Sequence, residues 1–230
     1  VTGRRFDVVF LDAGGVLVSP HPELVGQQFV DLGLEVDPDL LVAAHYHGMR
    51  AIDDARAEPE VFDDYHVAYA RHLGVAEHAI VGVGASLDEL WKRGGLWTAP
   101  LPGAAEGLAA IAATGLPIVI VSNADGTVAD LLVRSGLVQV GPGPGVEVRA
   151  IIDSGVVGVA KPDPRIFELA LDVTGASAAR AVHVGDAYQF DVRGARAAGV
   201  HPVLVDPLGL RTDVDCDRIE QLVDLIELLG

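Results

Sequence analysis

The stretch from Phe6 to Val18 constrains this chain more than any other. Its apolar run Val8, Val9, Phe10, Leu11 delivers Asp12 into the turn Ala13-Gly14-Gly15, after which Val16, Leu17 and Val18 follow. Consecutive apolar residues, two of them β-branched, suit a strand covered on both faces, as strands of a parallel sheet are. Such sheets bind ligands beyond the carboxyl ends of their strands. A carboxylate there is hard to justify by packing, because a buried charge is costly unless something pairs with it. As a turn or helix cap Asp12 would need no such partner. The segment alone leaves both readings open.

Similar apolar runs recur later in the chain. Ile118-Val-Ile-Val121 leads into Ser122-Asn123, Val148 to Ile152 forms a third run, Ala181 to Val184 leads into Gly185-Asp186, and Pro202 to Val205 is the last. Helical spacing separates them: Leu108, Ile111 and Ala112, then Val128 to Leu137, Asp163 to Val173, Val192 to Ala198, and an amphipathic tail from Ile219 to Leu229. Strands alternating with helices predict an α/β fold, a doubly wound, mostly parallel sheet with helices on both faces. Residues 19–97 break the alternation, with helical stripes beginning near Pro22, Pro38 and Pro59 and a fourth through Leu87, Leu90 and Trp91. They predict a four-helix domain inserted between 1–18 and 98–230.

Composition narrows the function. Sixteen basic against thirty-three acidic residues give a net charge of −17, which disfavours nucleic acid, whose phosphates need clustered Lys and Arg. An anionic substrate would need a local cation to offset that field. No run of apolar residues is long enough to span a membrane. The first strand starts by Phe6, leaving no room for a signal peptide, so a cytoplasmic location is expected. The single Cys216 agrees, and its acidic neighbours Asp213, Asp215 and Asp217 mark it as a bystander. Gly141-Pro-Gly-Pro-Gly145 lacks the Lys-Ser of a phosphate-cradling loop and reads as a surface turn.

Three strand ends carry polar residues that core packing does not ask for: Asp12, the pair Ser122-Asn123, and Asp186 with Asp191 five residues on. A parallel sheet puts all three at one edge. Lys161, ahead of Pro162-Asp163-Pro164, would stand at the same rim. Carboxylates, one lysine and a hydroxyl-amide pair suit a divalent cation beside an anionic group, and Mg²⁺ needs few protein carboxylates because it keeps water and substrate oxygens.

The order Asp12, Ser122-Asn123, Lys161-Pro162 and Gly185-Asp186-x-x-x-x-Asp191 resembles the haloacid dehalogenase superfamily of hydrolases, in the branch with a helical cap after the first motif. The resemblance covers essentially the whole chain. It implies a Rossmann-like core, Mg²⁺ as cofactor and a small phosphorylated molecule as substrate. Asp12 would be the nucleophile that forms an aspartyl-phosphate. Lys161 would act with it, and Ser122, Asn123 and Lys161 would bind the phosphoryl group. Asp12, Asp186 and the Gly14 carbonyl would hold the metal, with Asp191 in the metal set or orienting Lys161. Residues 19–97 would be the cap.

One position departs from the family. Its phosphatases carry Asp-x-Asp in the first motif, and the second Asp protonates the leaving group; here that residue is Gly14. General acid-base help is worth about 10²- to 10⁴-fold, so three readings stay open beside a fourth and blander one, a weak or promiscuous phosphatase. The first is a phosphohydrolase whose leaving group needs no proton or whose acid lies elsewhere, His21, Glu23 and Asp125 being candidates. The second is a carbon-halogen or carbon-phosphorus hydrolase. A dehalogenase would not need Gly185-Asp186 and would carry an aromatic near Asp12, and a phosphonatase would need a cap lysine, for which Lys92 is the one candidate. The third is a binding protein that kept the fold and lost the chemistry. His45 and His47, two apart on a helix, face different ways and do not form a metal pair. Arg50, Arg56 and Arg93 could reach substrate from the cap. The sequence leaves the oligomeric state undetermined.

Overall fold

Residues 4–55 and 61–230 are described in the computed structural model, the side chains of 61–63 excepted. The chain divides into two compact units, Val1–Val18 with Pro100–Gly230, and Ser19–Ala99. In chain order the strands are β1 (Val8–Leu11), β2 (Val18–Pro20), β3 (Trp97–Pro100), β4 (Ile118–Ser122) and β5 (Val138–Val140). They continue as β6 (Val146–Val148), β7 (Ala150–Asp153), β8 (Ala181–Gly185), β9 (His201–Val205) and β10 (Asp217–Ile219). Six of them form one sheet in the order β10-β9-β8-β1-β4-β7, and the paired neighbours run parallel. This is the doubly wound α/β sheet expected from the alternation. From β1 the chain builds outward on one side through β4 and β7, then returns to β8 on the other. The switch point of the topology therefore lies at β1, where such sheets bind ligands.

The helices of the second unit are α1 (Pro22–Asp31), α2 (Leu41–Asp54), α3 (Val61–His72) and α4 (Glu77–Lys92). Pro59, near which the third was expected to begin, lies outside the described residues, as does Arg56. Tyr65 and Tyr69 are buried among them and meet the Trp91 ring at 6.0 and 5.7 Å between centroids. A Cβ at Gly48 would fall on the Tyr65 ring, so this glycine lets α2 and α3 approach closely. The first unit adds α5 (Ala104–Ala113), α6 (Val128–Arg134), α7 (Ser154–Val157), α8 (Arg165–Thr174), α9 (Arg193–Ala197) and α10 (Leu225–Leu229). One face of the sheet, with Val8, Phe10, Val119 and Val121, is covered by Ile166, Phe167 and Ala170 of α8 and Ala195 of α9.

Several elements differ from the sequence expectation. The run Val148–Ile152 is split at Arg149, whose N–H donates to the Ile118 carbonyl at 2.7 Å, so Val146–Val148 pairs with β5 while Ala150–Asp153 pairs with β4. The tail is not one helix over Ile219–Leu229. Asp217–Ile219 becomes the edge strand β10, parallel to β9. The Asp224 carboxylate then accepts the N–H groups of Glu220 and Gln221 at 3.2 and 2.9 Å, a cap that starts the helical turn only at Leu222. After Asp186 the chain makes a π-turn over Tyr188–Val192 before α9 begins, a wide turn that occurs often at functional sites.

Candidate active site

Because β1 lies between β8 and β4, the residues at their carboxyl ends become neighbours. Asp12 follows β1, its N–H held by the Val184 carbonyl at 2.9 Å. Asp186 follows β8, Ser122 ends β4, and all three are buried. One carboxylate oxygen each of Asp12, Asp186 and Asp191 lies within 4.8 Å of the others, the single grouping of three potential ligand side chains among the described residues.

Lys161 enters this cluster from the loop between α7 and α8. Its Nζ sits 2.8 Å from Asp12 Oδ2 and 2.7 Å from Asp191 Oδ1, with the ammonium fully buried between them. A buried charge is tolerable only when paired in this way. The Lys161 backbone is fixed as well: Asn123 Oδ1 accepts its N–H at 2.7 Å, and Asn123 Nδ2 donates to its carbonyl at 2.9 Å. The following Lys161-Pro162 peptide is cis.

Asp191 is placed by the π-turn. Its Oδ1 takes Lys161 and also the His183 ring, whose Nε2 is 2.8 Å away, and its Oδ2 accepts the Ala187 N–H at 3.0 Å. A Cβ at Gly185 would collide with this carboxylate, which is a physical reason for glycine before Asp186. Around Gly14 the loop closes on itself: Ala13 O accepts from Leu17 and Val18 at 2.8 and 3.0 Å, and Val18 O accepts from Gly15 at 2.9 Å. None of these bonds uses the Gly14 carbonyl.

The charges do not share the site equally. Burial, with Asp191 and Asp186 nearby, raises the Asp12 pKa to about 7 against the pull of Lys161. Burial opposes ionisation of Asp191 too, yet Lys161 and His183 together hold it well below the usual carboxylate range. Burial would strip Lys161 of its proton, but Asp12 and Asp191 keep its pKa above the ordinary value. His183 is wholly buried, and burial lowers its pKa although Asp191 pulls the other way.

The loop after β4 is anchored from β7. Asp153 Oδ1 accepts the N–H groups of Gly126 and Gly155 at 3.0 and 2.8 Å, and Oδ2 accepts that of Val128 at 3.2 Å. The Ser154 hydroxyl donates to the Ala124 carbonyl at 3.0 Å and accepts its N–H at 2.9 Å. His183, Asp153 and Ser154 were not singled out by the sequence. For His183 the only signal was a ring nitrogen inside the run Ala181-Val182-His183-Val184. For the other two there was none, since Asp and Ser after a strand read as an ordinary helix start.

Asp125 caps its own loop, with Oδ1 accepting from Thr127 N at 3.1 Å and Oγ1 at 2.5 Å. Lys92 is exposed and paired with Asp88 and with Glu89, the latter at 3.1 Å, so it has the surroundings of a helix-terminal lysine rather than of a Schiff base. Arg50 pairs with Asp54 at 2.9 Å. His45 is buried against Trp97 and bonds Tyr65 Oη at 2.9 Å, while His47 stacks on His72 at 4.1 Å. His21 stands at the start of α1, with Glu23 in its first turn. The Gly141–Gly145 turn is closed by the Gln139 side chain, which bonds Gly141 and both backbone groups of Gly145. No helix among the described residues is long and apolar enough to cross a membrane.

Comparison with known proteins identifies the family. The model of the haloacid dehalogenase-like hydrolases fits residues 6–199. A phosphoglycolate phosphatase of Caulobacter vibrioides is 30% identical over 86% of this chain and 78% of that protein. A bovine protein, haloacid dehalogenase-like hydrolase domain-containing protein 3, is 40% identical over 91 residues, 40% of this chain, and the match spans only 34% of its length. Among solved structures, a HAD-hydrolase from Bacillus subtilis bound to magnesium superposes with a TM-score of 0.64 at 17% identity, over 98% of this chain and 99% of that one. The family model spans the switch-point strands and every member of the Asp12, Lys161 and Asp186 cluster, so this chain belongs to the family of haloacid dehalogenase-like hydrolases.

Proposed function

We propose that this hydrolase cleaves a phosphoryl group from a small phosphorylated molecule, with Asp12 as nucleophile. One observation carries the reading: a buried ammonium, Lys161, bridges the carboxylate at the end of the central strand and a second buried carboxylate, Asp191. It supplies the local cation that a chain of net charge −17 needs to receive an anionic group. The likeness to a phosphoglycolate phosphatase over most of both chains supports the same reaction class.

The residues fit a divalent cation. Asp12, Asp186 and the Gly14 carbonyl are hard oxygen donors of the kind Mg²⁺ takes, and carboxylate oxygens of Asp12 and Asp186 lie within 4.8 Å of each other. Asp12, Gly14 and Asp186 would hold the ion, while Asp191, with both oxygens engaged by Lys161, His183 and Ala187, orients Lys161. Bound there, Mg²⁺ would offset charge on the phosphoryl oxygens and favour the ionised form of Asp12.

In this mechanism Asp12 Oδ bonds to phosphorus as the bond to the leaving oxygen breaks, and water then displaces the phosphoryl group from Asp12. Lys161, the Ser122 hydroxyl and the Asn123 backbone N–H receive the three phosphoryl oxygens in a site whose geometry is already set. Gly14 offers no proton to the departing oxygen. The favoured substrates are therefore those whose leaving group departs unprotonated, such as acyl phosphates. The helical unit serves as the substrate-selecting cap.

The test is phosphate release from acetyl phosphate and from p-nitrophenyl phosphate, with and without Mg²⁺. The proposal expects Mg²⁺-dependent release with a strong preference for acetyl phosphate. Failure to release phosphate from either would contradict it.

A further inference from the structure

On one face of the central strands an apolar layer has a histidine in its middle. Val8, Phe10, Val119, Val121 and Ala181 pack against α8 and α9, and in the middle of that layer stands His183, with 0% of its surface exposed. It lies opposite Phe10 in the β1–β8 register. A polar ring in such a layer carries a desolvation cost that valine or leucine would not. Its position therefore asks for a reason.

The ring is held in one orientation. Phe167 meets it edge-on at 4.8 Å between centroids and 76°. Phe167 is itself confined: a Cβ on Gly194 would stand 2.9 Å from its ring, so α9 leaves it no room to withdraw. In that orientation Nε2 points at Asp191 Oδ1, the same oxygen that grips the Lys161 ammonium 2.7 Å away. Since Asp191 accepts, Nε2 must carry the hydrogen.

We propose that His183 is a positioning residue for the phosphoryl-transfer site: its Nε2–H fixes the Asp191 carboxylate so that Lys161 is presented to Asp12 and to the incoming phosphoryl group. The inference rests on the phosphohydrolase reading above for its consequence, though not for its geometry. Without that hydrogen bond Asp191 keeps only the Ala187 N–H and Lys161 as anchors, and its carboxylate can rotate toward Lys161 alone. The ammonium then loses a fixed place. Because His183 reaches the reacting atoms only through two other side chains, the loss falls on the chemical step rather than on substrate binding. Partners that orient a site's contacting residues commonly change activity by about 10- to 100-fold when removed.

Two substitutions separate this role from simple packing. His183→Gln keeps an N–H where Nε2 stands; His183→Leu fills similar space without a donor. Phosphate release from acetyl phosphate is measured for the wild type and both variants, and crystal structures of all three are compared. The expected result is kcat reduced about 10- to 100-fold in His183→Leu with KM within about threefold, and most of that loss recovered in His183→Gln. Lys161 Nζ should leave its place beside Asp191 in the leucine protein and keep it in the glutamine protein. Unchanged kcat in His183→Leu, or equal losses in both variants, would overturn the proposal. If the wild type releases no phosphate, the phosphohydrolase reading fails separately, and the crystal structures still decide whether His183 positions Lys161. Should His183→Leu not fold, His183→Asn, whose amide falls short of Asp191, takes its place with the same expected outcome.

Discussion

Asn123 and Lys161, 38 residues apart in sequence, are joined by a reciprocal pair of hydrogen bonds, Asn123 Oδ1 to the Lys161 N–H at 2.7 Å and Asn123 Nδ2 to the Lys161 carbonyl at 2.9 Å. The residue expected to meet phosphate through its backbone thus uses its side chain to fix the lysine. Asn123→Ala should lower kcat/KM by about tenfold or more, the loss of two hydrogen bonds at about 1 kcal/mol each, with near-native circular dichroism. Asn123→Asp restores the acceptor but not the donor and should fall between. Wild-type kinetics in Asn123→Ala would show that Lys161 is held by its ion pairs alone.

Asp153 bears on stability as well as on the site. Its two oxygens accept three backbone N–H groups, those of Gly126, Gly155 and Val128. Asp153→Ala would remove the partner of three backbone N–H groups, of which that of Val128 is buried, and should cost about 1–3 kcal/mol, read by urea unfolding. Gly155→Ala attacks the same contact from outside, since its Cβ would stand 2.6 Å from Asp125 C and Gly126 N. The loop must shift, and KM for acetyl phosphate should rise more than kcat falls.

The raised pKa of Asp12 has a signature in the metal-free protein. Its folded value of about 7 exceeds the 3.8 of an unperturbed aspartate. Between these pH values the folded protein keeps a proton that the unfolded chain has lost. This contribution to stability is fully present below the unfolded value and is lost as pH rises through about 7. Asp12→Asn removes the term, so without metal it should raise Tm relative to wild type at pH 8 and raise it less at pH 5. An equal effect at both pH values would mean that Asp12 is ionised throughout.

Cys216 gives a control at a residue that is not part of the Asp12, Asp186 and Asp191 grouping. Burial, with Asp215 and Asp217 nearby, pushes its thiol up to about 11. Alkylation by iodoacetamide at pH 8 should be slow compared with a free cysteine, and Cys216→Ser should keep wild-type turnover. Rapid labelling at pH 8 would contradict the assigned environment.

Much of the architecture was legible because the burying strands announce themselves. Val8–Leu11, Ile118–Ser122 and Ala181–Gly185 are unbroken buried runs, and the polar residue ending or following each stood out against them. Edge strand β10 was not legible, since Asp217-Arg218-Ile219 is short and polar and lies beside a helical pattern. Nor was the break at Arg149, which depends on a hydrogen bond to Ile118 in a strand distant in sequence. The site shows the same division. Asp12, Lys161, Asp186 and Asp191 follow from residue type and order. The residues that aim them, Asn123 through its amide, Asp153 and His183, are visible only through partners brought near by folding.

The central claim is a phosphoryl group carried by Asp12, and the most direct measurement is rapid acid quenching during turnover of acetyl phosphate with Mg²⁺, followed by peptide mass spectrometry. The expected result is one phosphoryl group on the peptide containing Asp12, present only with Mg²⁺ and absent from Asp12→Asn, which also fails to turn over. Turnover with the phosphoryl group on another residue, or undiminished turnover by Asp12→Asn, would contradict it.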